Sequence, residues 1–417
     1  MKKNHLTIQG GQKLSGSVTA AAAKNAILPI LASTIMLDGE TTLTKIPLIG
    51  DVQYMIRMLN SLNIRVEYRY NDDIHIVNQK KIKHIAPYEL VTSMRASFFV
   101  AGPLIAKTGY AKVPLPGGCS IGQRPVDIHL KGLEALGAKI SIEHGFVEFA
   151  APSLNGSVID LGFPSVGATE NIMMAACLAK GETVIKNAAK EPEVIDLANF
   201  LIKAGGIIDG VGTDTIHIQG VQGLTGVQDY TVISDRIEVG TLLIAGAITG
   251  GDVTVENGYP EFNKAFIEKL EEIGLSLECS GNAIRCKVNG ALGPITINTE
   301  PFPGFPTDMQ AQVMALLTTI KGKSVVNEKI FENRFMHAQE LQRMGAKIDV
   351  KGQQAIINGT QLSGAEVKMT DLRAGAALVL AALAAEGETS IYGLHHLERG
   401  YHKLTQKLIN LGANIIQ

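Results

Sequence analysis

The sequence predicts an α/β protein assembled from six tandem units of about 70 residues each. Three observations predict it. A helix end followed by Leu-Gly-Ala or a variant, and then by a strand, occurs six times. Its central residues are Asn63, Gly137, Gly205, Gly274, Gly345 and Gly412, spaced by 74, 68, 69, 71 and 67 residues. An apolar helical run that stops at a glycine before a strand also occurs six times. These glycines are Gly39, Gly109, Gly181, Gly251, Gly322 and Gly387, spaced by 70, 72, 70, 71 and 65. Finally, the stretches after Leu-Gly-Ala alternate in polarity around a turn, as β-hairpins do. Examples are Lys139 to Ala150 around His144-Gly145, and Ala346 to Asn358 around Lys351-Gly352.

Each unit therefore reads as an apolar helix, a strand, an amphipathic helix and a hairpin. The glycine of Leu-Gly-Ala suits the left-handed position just past a helix, where Asn63 is the commonest substitute. The sixth unit breaks the rule, because the sequence stops at Gln417 after one strand. Its missing partner is visible at the other end. His5-Leu6-Thr7-Ile8-Gln9-Gly10 resembles Thr215-Ile216-His217-Ile218-Gln219-Gly220, and Leu14-Ser15-Gly16 resembles Leu224-Thr225-Gly226 and Leu362-Ser363-Gly364. The N-terminal strand should complete the last unit. At 417 residues two domains are expected in any case. The pattern gives a discontinuous one, 1–23 plus 231–417, and a continuous one, 24–230. Chain crossings near residues 20–24 and 229–234 would act as a hinge.

A net charge of −2 offers no field for nucleic acid or an acidic membrane, so an anion must be held by a local cluster. No apolar run approaches membrane-spanning length, and the N-terminus lacks an apolar signal region. A cytoplasmic protein without membrane insertion is expected. Four cysteines lie far apart, with no metal-binding spacing. Cys177 falls in an apolar run and reads as core. Cys279 and Cys286 flank a hairpin turn at Ser280-Gly281-Asn282; a disulfide is conceivable there, with free thiols the default. There is neither a Walker A sequence nor a dinucleotide-binding glycine motif.

Counting back 14 or 15 residues from the glycine of each apolar helix gives Lys24, Arg95, Gly167, Arg236, Asp308 and Arg373. Counting back 11 to 13 from the second marker gives Arg124, Glu193, Glu261, Arg334 and Arg399. The first set lies at or near helix starts, with Thr169, Ser234, Thr307 and Thr370 as capping candidates. Helix N-termini attract anions, and arginine adds a two-pronged clamp for phosphate or carboxylate. Two domains with such helix ends facing each other would enclose a cationic cleft. Surface ion pairs are the ordinary alternative for any one arginine. Asp308 is the acid in a cationic slot; it could be a plain helix N-terminal charge, or it could position a substrate hydroxyl or take its proton. His129, His337, His395 and His396 read as structural. In Pro116-Gly117-Gly118-Cys119-Ser120-Ile121-Gly122-Gln123-Arg124-Pro125 a thiol follows two glycines and precedes an arginine. This reads either as a mobile loop with a reactive cysteine, because a guanidinium favours thiolate, or as a turn with an incidental small residue.

Five segments together resemble one family: the Cys119 loop; Lys24-Asn25; Phe305-Pro306-Thr307-Asp308-Met309-Gln310-Ala311-Gln312; Phe331-Glu332-Asn333-Arg334-Phe335-Met336-His337; and Asp371-Leu372-Arg373-Ala374. The family is UDP-N-acetylglucosamine 1-carboxyvinyltransferase. The resemblance covers essentially the whole chain, in order. It implies two inside-out α/β barrel domains of three repeats each, around a cleft. It implies transfer of enolpyruvate from phosphoenolpyruvate to the 3′-hydroxyl of UDP-N-acetylglucosamine with release of phosphate, a step of peptidoglycan synthesis. No metal or organic cofactor is implied. Cys119 resembles the loop cysteine that donates a proton, can bond phosphoenolpyruvate, and is labelled by epoxides of the fosfomycin type. Lys24 and Asn25 resemble phosphoenolpyruvate ligands, with Arg124 and Arg399 near its phosphate. Arg334 and Arg373 would steady the carboxylate and the developing charge. Arg95, Arg124, Pro125, Val126, Asp127, Ile128, Ser165, Val166, Gly167, Asp308 and Ile330 match the UDP-sugar site. Lys24, Cys119, Asp308 and Arg399 form the implied catalytic set.

One departure stands out. Many relatives carry Ser-Gly before Ala-Lys-Asn-Ala, where this chain has Ala21-Ala22. A left-handed backbone there would strain Ala22 by roughly 1 kcal/mol. Two rival readings share parts of the pattern: the sister transferase of the shikimate pathway, which lacks the Pro-Gly-Gly-Cys loop, and a non-catalytic paralogue that binds a UDP-sugar.

Overall fold

The computed structural model describes residues 5–78, 81–117 and 126–416. Among these, the chain divides into two compact units. One runs from Ala22 to Ile233; the other joins the residues before Ala22 to those from Ser234 onward. Each unit has its own continuous apolar core.

In the unit from Ala22, the helices Lys24–Ser33, Ala101–Thr108 and Val166–Ala176 lie at the centre. Leu28, Leu31, Leu104, Ile105, Ile172 and Met173 are almost wholly buried. A helix that is apolar all round has no solvent face to offer, so it goes inside. Close contact is set by small residues and one amide. Gly102 N donates to Asn171 Oδ1 at 2.8 Å, and Asn171 Nδ2 donates to the Phe98 carbonyl at 3.3 Å. A Cβ on Gly102 would come within 2.3 Å of the Asn171 carbonyl oxygen. The other unit has the same plan, with Arg236–Ile248, Gln310–Leu317 and Leu372–Ala384 at the centre.

Sheets form the outer layer of each unit, one face on the core and one in solvent. Leu6 and Ile8 of strand His5–Gln9, for example, are fully buried while Gln9 is exposed. One strand order recurs. An edge strand runs parallel to a second strand, which pairs antiparallel with a third, and the third with a fourth. In the unit from Ala22 the sets are Tyr230–Thr231, Glu40–Thr44, Ile74–Asn78, Ile64–Tyr68, and Val158–Asp160, Glu182–Lys186, Thr215–Gln219, Ile207–Asp209. A third set, Tyr110–Pro114, Phe146–Ala150 and Lys139–Glu143, has its parallel neighbour reduced to a bridge between Ile85 and Lys112. In the other unit two sets are Thr296–Asn298, Lys323–Asn327, Gln354–Asn358, Lys347–Lys351, and Ser15–Thr19, Asp252–Glu256, Ala283–Lys287, Ser276–Ser280. The last set places Glu366–Lys368 beside Glu388–Tyr392, then His5–Gln9, then Asn414–Ile416.

The six residues at the centre of Leu-Gly-Ala all have positive φ, from 68° at Asn63 to 107° at Gly412, as a left-handed helix end requires. The hairpin at His144-Gly145 has both residues left-handed (φ 51° and 78°), but the second hairpin turns one residue later than its sequence suggests, at Gly352-Gln353. The capping candidates need correction. Asp235 and Asp371, not Ser234 and Thr370, cap their helices, each accepting two backbone N–H bonds. Ser165 caps the helix that contains Thr169, and Thr307 donates instead to Glu328. A carboxylate one position along outcompetes the hydroxyl because it can accept from both free amides at once. Ala22 does not adopt positive φ, so the strain that Ala21-Ala22 suggested is not there. Cys279 and Cys286 are free thiols, one exposed and one buried; each lies opposite another residue of the hairpin, Ile284 and Leu277 respectively. Cys177 is free and buried, and desolvation pushes its thiol up to about 12. No helix among the described residues is long and apolar enough to cross a membrane.

Candidate active site

Of the residues picked out by spacing, those counted back from the apolar helices fall at or near helix starts. Lys24 and Arg236 are the first residues of their helices, and Arg373 and Gly167 are second. Arg95 opens the 3₁₀ turn Arg95–Val100, and Asp308 is central in the 3₁₀ turn Thr307–Met309 that feeds Gln310–Leu317.

Within the unit that contains Ser234 onward, three of these side chains meet. Asp308 is half-buried and accepts two charge-assisted bonds. Arg334 Nη2 donates to its Oδ1 at 2.6 Å, and Arg373 Nη2 donates to its Oδ2 at 2.7 Å. The two arginine side chains are only 5% and 6% exposed. Burial opposes the charge on Arg373; Asp308, Tyr401 and Asp235 outweigh it, and its pKa lies above the ordinary arginine value. Arg334 also stacks over Phe331, 5.5 Å from the ring centre, and Arg373 over Tyr401 at 5.7 Å.

Tyr401 was not singled out by sequence. Its hydroxyl meets Arg373 Nη1 at 3.4 Å, Thr241 Oγ1 at 2.9 Å and Gln312 Nε2 at 3.2 Å. These bonds tie the Asp308–Arg373 pair to two central helices. Burial raises the Tyr401 pKa, so it stays a neutral donor. His337 is likewise buried, just beyond Arg334, and desolvation lowers it to about 4. Arg399 is half-buried at the end of the short helix His395–Glu398. Ile330 N donates to Glu328 Oε1 at 2.9 Å.

In the unit from Ala22, Lys24 Nζ donates to Asp51 Oδ2 at 3.1 Å, with side chains 15% and 4% exposed. Asn25 follows on the same helix and is half-buried, as is Arg95. Val126 caps Asp127–Ala135; Asp127 is exposed, 3.9 Å from Lys131, and Ile128 packs partly on the core. Ser165 Oγ accepts from Ala168 N, and Val166 and Gly167 begin the helix. A Cβ on Gly167 would sit 3.3 Å from His129 and 3.4 Å from Phe99, so this helix start is closely approached by rings. His129 itself bonds Asn171 at 3.2 Å, a structural role. Cys119, Arg124 and Pro125 lie outside the described residues. Among the described residues no group of three or more His, Cys, Asp or Glu could hold a metal ion.

Comparison with known proteins decides the family. The chain is 52% identical over 411 residues to UDP-N-acetylglucosamine 1-carboxyvinyltransferase 2 of Carboxydothermus hydrogenoformans, covering 98% of both chains. The chain belongs to the UDP-N-acetylglucosamine 1-carboxyvinyltransferase family. The enzyme named UDP-N-acetylglucosamine 1-carboxyvinyltransferase 1 in Staphylococcus aureus is also 52% identical, over 414 residues and 98% of both chains. The wider family model of EPSP synthase (3-phosphoshikimate 1-carboxyvinyltransferase) matches residues 8–408. Among solved structures, the enolpyruvyl transferase NikO from Streptomyces tendae matches with a TM-score of 0.88 at 23% identity, over 99% of this chain and 98% of that one. EPSP synthase from Acinetobacter baumannii matches with a TM-score of 0.75 at 20% identity, over 99% and 100%. These two likenesses carry the fold alone, an α/β enolpyruvyl transferase fold.

Proposed function

We propose that this family member transfers enolpyruvate from phosphoenolpyruvate to the 3′-hydroxyl of UDP-N-acetylglucosamine and releases phosphate, in peptidoglycan synthesis. The observation that carries the reading is the Asp308 carboxylate held between two buried guanidiniums at a helix start. Relatives 52% identical bear the corresponding name.

The chemistry is an addition and an elimination. A proton goes from Cys119 to C3 of the enol phosphate while the sugar oxygen bonds C2 and gives its own proton to Asp308; the tetrahedral adduct then loses phosphate, which carries off the Asp308 proton, and returns a C3 proton to the Cys119 thiolate to restore the double bond. Negative charge moves during both steps, so fixed cations serve better than mobile water. Arg334 and Arg373 take the carboxylate and the developing charge; Lys24, Asn25, Arg124 and Arg399 take the phosphate end. Asp308, held between the arginines, is the carboxylate that accepts the 3′-hydroxyl. So flanked, its first task is to orient the hydroxyl. Cys119 donates the proton to C3. Arg95, Arg124, Pro125, Val126, Asp127, Ile128, Ser165, Val166, Gly167 and Ile330 bind the UDP-sugar. We read each unit as an inside-out barrel of three repeats; the recurring strand order and the buried central helices support that reading.

The test is phosphate release. Purified protein with phosphoenolpyruvate releases phosphate only when UDP-N-acetylglucosamine is added; release with shikimate 3-phosphate instead, or with neither, overturns the proposal. Cys119→Ser should cripple turnover while calorimetry still finds UDP-N-acetylglucosamine bound. Equal loss of binding would make the cysteine structural.

A further inference from the structure

Glu328 is 1% exposed, yet its carboxylate gathers four hydrogen bonds and none of them comes from a cation. Oε1 accepts from Thr299 Oγ1 at 2.8 Å, from Ile330 N at 2.9 Å and from Phe331 N at 3.2 Å. Oε2 accepts from Thr307 Oγ1 at 2.9 Å. Thr299 adds a further bond, accepting from Lys329 N at 2.8 Å.

The place is as informative as the bonds. Thr299 and Glu328 directly follow the parallel strands Thr296–Asn298 and Lys323–Asn327. Thr307 opens the 3₁₀ turn whose next residue is Asp308. Ile330 and Phe331 lead into the segment that ends at Arg334. One buried side chain thus fastens two rigid strand ends to the segment bearing Asp308 and to the segment bearing Ile330. A carboxyl group is suited to this, because its two oxygens can accept several bonds at once.

Comparison within the chain shows that the position is specialised. Lys45, Asn187, Asn257 and Gly393 follow the corresponding strands Glu40–Thr44, Glu182–Lys186, Asp252–Glu256 and Glu388–Tyr392. All four are left-handed, with φ of 56°, 54°, 56° and 90°. Glu328 does not adopt that backbone. Leu115, which follows the remaining strand Tyr110–Pro114, shares the ordinary backbone of Glu328; of the six residues that follow these strands, only Glu328 is an acid, and it is buried.

We infer that Glu328 is a positioning residue for the acceptor sugar, fixing Asp308 and Ile330 by hydrogen bonds to Thr307 and to the backbone at Ile330 and Phe331. The inference rests on the transferase reading given above. It assigns Glu328 no contact with substrate; its effect passes through Asp308 and Ile330. Small displacements of a positioned group lower rates steeply, about 100-fold for 1 Å in unfavourable cases.

The experiment is steady-state phosphate release with each substrate varied in turn. Wild-type protein must first turn over both substrates; failure there strikes the transferase reading itself, before any variant is compared. Thr307→Val keeps the shape and removes only the bond to Oε2. It should raise KM for UDP-N-acetylglucosamine and lower kcat, together about 10-fold in kcat/KM, with KM for phosphoenolpyruvate changed less than about 2-fold. Glu328→Asp cannot reach both sides and should show the same split more strongly. Glu328→Gln keeps Oε1, and the Thr307 hydroxyl can rotate to accept from the new amide, so it should recover most of the activity lost in Glu328→Asp. Equal changes in the two KM values for Thr307→Val and Glu328→Asp, in step with a lowered melting temperature, would show plain structural damage and overturn the inference. So would unaltered kinetics in Thr307→Val.

Discussion

Acid should act on His337 in a way that can be calculated and isolated. The imidazole is 1% exposed, packed between Arg334 and Asp371, and its Nε2 meets no partner. Burial, the largest influence, disfavours the charged ring; Asp371 favours it and Arg334 disfavours it. The net result is a fall from 6.5 to about 4. The unfolded chain therefore binds a proton first as pH falls. The stability this group contributes is complete above pH 6.5 and is lost between 6.5 and about 4. Linkage over that interval gives a loss of about 2 kcal/mol at pH 5 and about 3 kcal/mol at pH 4, relative to pH 7. Other carboxylates titrate in the same range, so the comparison must be with a variant that shares them. His337→Asn keeps a donor for the Arg334 backbone and removes the titrating ring. Urea unfolding followed by circular dichroism, at half-unit steps from pH 7 to 4, gives the difference between wild type and variant. That difference should move in the variant's favour by about 2 kcal/mol on reaching pH 5. A difference independent of pH would refute the account of His337 as a buried neutral ring.

Three further outcomes are expected. Asp308→Asn should lower phosphate release about 100-fold or more, since it removes the acceptor for the sugar hydroxyl and the counter-charge to Arg334 and Arg373; rates within a few-fold of wild type would remove Asp308 from the mechanism. Tyr401→Phe leaves Gln312 and Arg373 short of a partner in the core, and the urea midpoint should report a loss of about 1–3 kcal/mol. Glu170 is fully buried with both oxygens unpartnered, and burial, then Glu193 and Glu191, raises its pKa well above the usual range. Glu170→Gln should thus stabilise at pH 7, with the gain vanishing as pH falls through the unfolded-state value near 4.5, where protonated Glu and Gln are alike.

The residues that sequence reached were those whose places repeat. Lys24, Arg95, Arg236 and Arg373 could be found because a glycine at fixed distance marks each helix and charge is out of place beside an apolar run. Two caps were missed by one residue, because Ser234-Asp235 and Thr370-Asp371 offer two plausible acceptors and only geometry ranks them. Glu328 was invisible for a different reason. Asn327-Glu328-Lys329 reads as a solvated polar turn, and nothing local says that Thr299 and Thr307 will meet it. One signal was available: the other strand ends carry Lys, Asn, Leu or Gly where this one carries Glu. Tyr401 shows the same limit, since its partners Thr241, Gln312 and Arg373 come from three separate helices.

The pairing of strand His5–Gln9 with Glu388–Tyr392 and Asn414–Ile416 has a consequence for how the protein is made. This strand leaves the ribosome long before either of its partners and must wait for them. Until then its buried face, Leu6 and Ile8, has no sheet to join. The stretch from Ala22 to Ile233 is under no such delay and can fold while the rest is still being synthesised. Closing so long a loop is slow, and the waiting strand is the segment most exposed to mispairing or to a chaperone. A truncation that removes Asn414–Ile416 would leave one side of that strand unpaired.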